Sequence, residues 1–191
     1  MKKKKAIRFA KDGEGIVQVA ALPYRHRRGG AIEVLLVTSR RAGRFIVPKG
    51  WPMKGKTFPE AAAEEAKQEA GVVGRVGRRA IGNYRYWKRL RKLSVEVSVI
   101  VFPLKVDIEL KVWREKRQRI RAWLKPGRAK SLMDNPELSS IVMRANGGLQ
   151  PVMARKHSRG VRRVGHQELR PGRRAGAAAR AQLRLDRMLA A

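Results

Sequence analysis

The chain has 191 residues, 43% of them apolar, which suits one cored domain with an appendage better than two full domains. Its 46 Lys plus Arg against 15 Asp plus Glu give a formal net charge of +31, a surface that attracts polyanions such as nucleotides, inositol phosphates, nucleic acid or anionic lipid heads. There is no cysteine, which excludes disulfides and thiolate metal sites, and His26, His157 and His166 lack the spacing of a zinc motif.

Residues 1–12 read as a basic arm. Met1 to Lys5 resembles the charged start of a signal peptide, but Arg8, Lys11 and Asp12 interrupt any apolar segment after it. Gly15 to Leu22 reads as a strand ending at Pro23, and Ala31 to Thr38 as a buried strand. Phe45-Ile46-Val47 is a short strand stopped by Pro48. A Gly-rich stretch, Lys49 to Lys56, leads into a helix: Thr57 is an N-cap, Glu60 completes a capping box, Pro59 is tolerated in the first turn, and Gly71 is placed as the C′ residue. Ala61, Ala62, Ala63, Ala66 and Ala70 are strong helix formers.

Arg79 to Trp87 and Leu93 to Val106 read as two long strands paired through Lys88 to Lys92. The longest apolar run, Val97 to Leu104, contains Ser98 and Pro103 and is too short to span a bilayer. No membrane span and a cytoplasmic location are therefore expected. Gln118 to Leu124 reads as a short strand, and Pro126 to Met133 and Pro136 to Ala145 as helices ended by Asn146-Gly147-Gly148. Residues 151–191 hold 11 Lys plus Arg, 2 Asp plus Glu and no Phe, Trp or Tyr. They read as a mobile basic tail with some helix in Ala177 to Leu189.

The helix carries the chemistry. Glu65 and Glu69 are four apart and share a face, with Gln68 at its edge. Two carboxylates and an amide oxygen, preceded by a Gly-rich loop, form an oxygen donor set suited to a hard cation such as Mg²⁺. Taken alone, such a pair is more often ordinary surface charge. A second pattern overlaps it: Gly50 to Thr57 satisfies G-x-x-x-x-G-K-[ST], the P-loop signature, between a short strand and a helix. Against a P-loop NTP-binding protein, no later strand ends in a Mg²⁺-holding aspartate, and the strands lack crossover helices.

Gly50 to Val72 resembles the Nudix box, whose pattern is Gly, five residues, Glu, seven residues, then Arg-Glu-apolar-any-Glu-Glu-any-Gly-apolar. Gly50, Glu65, Ala66, Glu69, Gly71 and Val72 match it. Lys56, Glu64 and Gln68 depart from it, in place of Glu, Arg and Glu. The stretches Phe45 to Pro52, Tyr84 to Lys92, Val101 to Leu104, and Trp113 with Arg119 to Trp123 look similar to the bacterial branch related to diphosphoinositol polyphosphate phosphohydrolases, over roughly residues 13–145. The resemblance implies a Nudix α/β/α sandwich with a mixed sheet at 13–147; composition marks 148–191 as a basic, disordered tail. The resemblance also implies metal-dependent hydrolysis of a diphosphate linkage using Mg²⁺ or Mn²⁺. Glu65 would be metal ligand and base, Glu69 a metal ligand, Gln68 a weaker neutral ligand, and the Gly50 carbonyl a further ligand. Glu115 is a candidate later carboxylate, although a surface charge in a basic run is its plainer reading.

Arg40, Arg41, Arg44, Lys49, Lys54 and Arg85 are the candidates for holding substrate phosphates, since Arg forks match their oxygens. The substrate expected is a phosphorylated small molecule: an X-linked nucleoside diphosphate, a dinucleoside polyphosphate or a diphosphoinositol polyphosphate. The competing reading is a non-catalytic Nudix-fold protein that binds nucleic acid or other polyanions. The tail in either case offers non-specific nucleic-acid contact through phosphates.

Overall fold

A computed structural model describes residues 16–40, 42–90 and 93–149. The expectations for the basic arm, for Arg41 and for the tail beyond residue 150 fall outside these residues.

The described residues form one mixed sheet and three helices. The strands are β1 (Ile16–His26), β2 (Ile32–Thr38), β3 (Phe45–Ile46), β4 (Lys49–Gly50), β5 (Val72–Val76), β6 (Gly82–Leu90), β7 (Leu93–Glu109) and β8 (Arg121–Leu124). The helices are α1 (Phe58–Ala70), α2 (Pro126–Ser131) and α3 (Pro136–Gly148). β1 runs parallel to β7, and the other strand pairs of the described residues are antiparallel. The sheet runs β3-β2-β1-β7-β5, with β4 on β1, β6 on β7 and β8 on β2.

Strand side chains alternate between faces. Ala20, Leu22, Val34, Leu36, Val97, Val99 and Val101 join one buried cluster with Leu138, Ile141 and Val142 of α3. Their neighbours Val19, Ala21, Leu35, Val37, Ile100 and Phe102 are also buried, on the other face. There α1 lies against β1, β4 and β5 through Ala61, Ala62, Ala66 and Ala70. These small side chains let the helix approach the sheet closely, so the box helix and the C-terminal helices flank the sheet as the resemblance implied.

Several boundaries differ from the sequence reading. β1 continues through Pro23 to His26, because Pro23 falls between the β4 pairing at Val19 and Ala20 and the β2 pairing that begins at Tyr24. No ladder bond on that side needs its missing N–H. β7 passes through Pro103 as read, with the Pro103 carbonyl accepting from Gly77 N at 2.8 Å, but runs on to Glu109 rather than ending at Val106. β5 has no counterpart in the sequence reading; its Gly74 lies at a register shift against β7, where a side chain would meet the Lys105 backbone. α3 runs to Gly148 rather than Ala145, and Leu149 N–H closes it on the Ala145 carbonyl. None of the described helices is long and apolar enough to cross a membrane.

Candidate active site

The entry to α1 is built as its sequence indicates. The Glu60 carboxylate accepts from Thr57 N at 2.7 Å and from the Thr57 hydroxyl at 2.8 Å. Both hydrogen bonds hold its carboxyl below the usual range. Gly71 ends the helix at φ 64°, with its N–H on the Lys67 carbonyl at 3.1 Å. This entry is no P-loop. Glu60 already takes the Thr57 N–H, Lys56 Nζ faces Glu64 at 3.5 Å, and the antiparallel pairings lack crossover helices. The P-loop reading is therefore set aside.

The face bearing Glu65 and Glu69 does not look into solvent. It turns toward β4, beside Ala62 and Ala66. Gly50 explains how Glu65 fits: a Cβ added there would come within 3.0 Å of Glu65 Cδ, Oε1 and Oε2. The carboxylate thus rests on the bare Cα of Gly50, and glycine is needed for this close approach rather than for its dihedral freedom. Glu65 makes no hydrogen bond or ion pair among the described residues. Burial, then the charges of Glu69 and Glu115, push its carboxyl up to about 7 against the pull of Arg119 and Arg114.

Glu69 is buried and strongly held. Its Oε2 accepts from Lys49 N at 3.0 Å, and its Oε1 accepts from Arg119 Nη2. Burial raises its carboxyl, opposed by Arg119 and Lys49. Gln68 lies at the outer edge: Oε1 accepts from Arg114 Nη1 at 2.8 Å, and Nε2 donates to Glu64 at 2.8 Å. The three departures from the box therefore join one row, Lys56–Glu64–Gln68–Arg114.

The segment after β7 delivers the remaining charges. Trp113 packs on Gly71, where an added Cβ would meet its ring at 2.5 Å. Arg121 lies over the Trp113 ring at 4.3 Å and donates to the Ala70 and Gly71 carbonyls at the end of α1, a favourable place for a cation. One turn from Glu115 to Arg119 then brings both residues to the carboxylates. Glu115 accepts from Arg119 Nε at 2.6 Å, and Arg40 reaches it at 3.4 Å. Glu115 is thus tied to Glu69 through the buried Arg119 rather than standing as a stray surface charge. Arg119 and Arg114 were missed as site residues; the four-residue spacing of Glu115 and Arg119 was their available signal.

A cavity of about 910 Å³ opens on the α2–α3 face, lined among others by Arg40, Arg44, Lys49, Trp51, Arg85 and Tyr86. Four of the six candidate phosphate-binding residues meet there. Lys54 is exposed and does not line it, and Arg41 is not described. Lys49 Nζ lies 5.4 Å from the Tyr86 ring centre and forms no salt bridge among the described residues, although the charges of Glu69 and Glu65 act on it. Burial, chiefly, pushes its ammonium down to about 8. The Tyr84 hydroxyl, buried on the same lining, has no partner either. Neither Glu65 nor Glu69 lines the cavity, but Lys49 and Arg40 belong to both groups. The Lys49 N–H holds Glu69, and the Arg40 guanidinium reaches Glu115.

The fold matches solved Nudix-type structures. An Ap4A hydrolase of C. elegans superposes with a TM-score of 0.53 at 19% identity, covering 71% of this chain and 98% of that one. No family model matches the chain. Nudix hydrolase 16 of Arabidopsis thaliana, described as mitochondrial, is 32% identical over 126 residues, covering 59% of this chain and 69% of that protein. Nudix hydrolase 21 of the same plant, described as chloroplastic, is 32% identical over 120 residues, covering 61% of this chain and 59% of that protein. The chain belongs to the Nudix hydrolase family. It spans about three-fifths of the length of that second relative.

Proposed function

We propose that this protein is a divalent-metal-dependent hydrolase of a diphosphate linkage, acting on a polyphosphorylated small molecule held in the cationic cavity. One observation carries this reading: an unpartnered, half-buried Glu65 carboxylate rests on Gly50, and its neighbours Lys49 and Arg40 reach into a cavity rich in Arg and Lys.

The donors fit a hard cation in kind. They are carboxylate oxygens of Glu65 and Glu69, with the Gly50 carbonyl at hand. Among the described residues, no three acidic or histidine side chains already stand close enough together to grip an ion. Glu65 and Glu69 would hold Mg²⁺ or Mn²⁺, with Gly50. Bound there, the ion would neutralise charge on the phosphoryl oxygens and acidify water. The chain's residues supply the rest. Lys49, Arg40, Arg44 and Arg85 bind phosphate oxygens and orient the anhydride. The Glu65 carboxylate, which no protein group engages, accepts the proton of the attacking water. The water oxygen bonds to one phosphorus, the bridging P–O bond breaks, and two phosphate products leave.

Lys49 lies over the Tyr86 ring and Lys88 over the Trp51 ring, so that these two aromatic residues of the lining are each paired with a cation of the same lining. This favours a densely phosphorylated substrate such as a diphosphoinositol polyphosphate, with dinucleoside polyphosphates next. The capture of the Gln68 oxygen by Arg114 favours a second reading, a domain that binds polyanions, nucleic acid included, without cleaving them. Incubation with each substrate class, with Mg²⁺ or Mn²⁺, in heavy-oxygen water separates the two. Hydrolysis places one solvent oxygen in a phosphate product, whereas the binding reading predicts retention without product.

A further inference from the structure

Arg119 lies at the centre of the carboxylate group with a side chain only 6% exposed. Its Nη2 donates to Glu69, its Nε to Glu115 at 2.6 Å and its Nη1 to the Thr38 carbonyl at 2.8 Å. Every nitrogen of the fork therefore has a protein acceptor. A guanidinium keeps its charge at any working pH, so this is a permanent buried cation. Arg40 also reaches Glu115, but its side chain is 57% exposed and its charge is screened by water.

The three carboxylates are unequally engaged. Both oxygens of Glu69 are taken, by Arg119 Nη2 and by the Lys49 N–H, and both of Glu115, by Arg119 Nε and by Arg40. The Gln68 oxygen is held by Arg114, so among the described residues Glu65 is the carboxylate of the three that leaves both oxygens open to a cation.

We propose that Arg119 is a resident cation standing in for a second metal ion, so that the site takes a single divalent ion, on the Glu65 side. This rests on the metal-dependent reading above. Arg119 touches no reacting atom in this scheme; it is a positioning residue that holds Glu69 and Glu115 and occupies their charge.

Mn²⁺ binding to the full chain, followed by titration calorimetry and by the paramagnetic resonance of free Mn²⁺, tests this without turnover. The wild type should bind one Mn²⁺ per chain, and Glu65→Gln at least tenfold more weakly. Arg119→Lys, which keeps a cation, should still bind one, whereas Arg119→Met should bind two. Two or more ions of similar affinity in the wild type would overturn the proposal and leave the metal-dependent reading standing. No binding at all would overturn both. A folded Arg119→Met variant that still binds one ion would also overturn it. Should that variant not fold, the wild-type stoichiometry decides, with two ions in Arg119→Lys counting against the proposal.

Discussion

Replacing Gly50 by alanine should separate activity from stability. The new Cβ would come within 3.0 Å of three atoms of the Glu65 carboxyl group. Neither backbone can retreat easily. β4 is paired to β1 at Val19 and Ala20 and held by the Lys49 N–H on Glu69, and α1 is fixed by its buried alanines. What gives is the free end of the Glu65 side chain, which must move by about 1 Å or more to reach ordinary contact. A misplacement of that size in a catalytic group costs on the order of 100-fold in rate, or about 2.7 kcal/mol in the barrier. Stability should change by less than about 1 kcal/mol, because alanine also narrows the unfolded ensemble. The assay is kcat at saturating Mn²⁺ beside the thermal midpoint of the same preparation. A kcat within about threefold of wild type would refute the reasoning. Equal loss of activity and folding would show that Gly50 is structural rather than a seat for Glu65.

Gly71→Ala should lower the unfolding free energy from urea titration by at least about 1 kcal/mol, since it combines a φ of 64° with a collision against Trp113; an unchanged midpoint would contradict that packing. Lys49→Met should weaken polyphosphate substrates about tenfold or more in KM while stabilising the fold. Because the Lys49 ammonium is pushed down to about 8, its stabilising contribution is present above its ordinary 10.5 and lost as pH falls through 8. The gain in thermal midpoint should therefore be larger at pH 6 than at pH 10, where the comparison checks it. Glu65 works in the opposite sense. Its carboxyl is raised from 4.5 to about 7, so its contribution is present below 4.5 and lost as pH rises through 7. Glu65→Gln should flatten that decline in pH-dependent melting. In the wild type, Mn²⁺ affinity should climb up to about tenfold per pH unit below 7 and level off above it; a flat profile would sink this assignment.

The local features of this site could be read from the chain. Thr57, Glu60 and Gly71 bound α1 because capping chemistry depends on neighbours a few residues away. The four-residue spacing of Glu65 and Glu69 put them on one face. That the face turns inward was less evident, and depended on Ala62 and Ala66 beside them and on Gly50 at a distance. β5 was missed because Gly74 and Arg75 break its apolar pattern, and pairing with β7 supplies what propensity lacks. Pro23 suggested a strand end, but it sits where no missing bond is felt. Arg119 was the hardest to foresee. Its place depends on Trp113 docking on Gly71 and on partners 50 and 81 residues away, which no local pattern encodes.

The central claim is hydrolysis at a metal site on Glu65. Its most direct test is phosphate-product release, with Mg²⁺ or Mn²⁺, from diphosphoinositol polyphosphates, dinucleoside polyphosphates and nucleoside diphosphate derivatives. Wild type, Glu65→Gln and Gln68→Glu should be compared side by side. The account predicts metal-dependent turnover in the wild type that falls by two or more orders of magnitude in Glu65→Gln, and is held or raised in Gln68→Glu. Turnover that survives in Glu65→Gln would contradict the assignment, and absence of turnover in both wild type and Gln68→Glu would leave a polyanion-binding domain in place of a hydrolase.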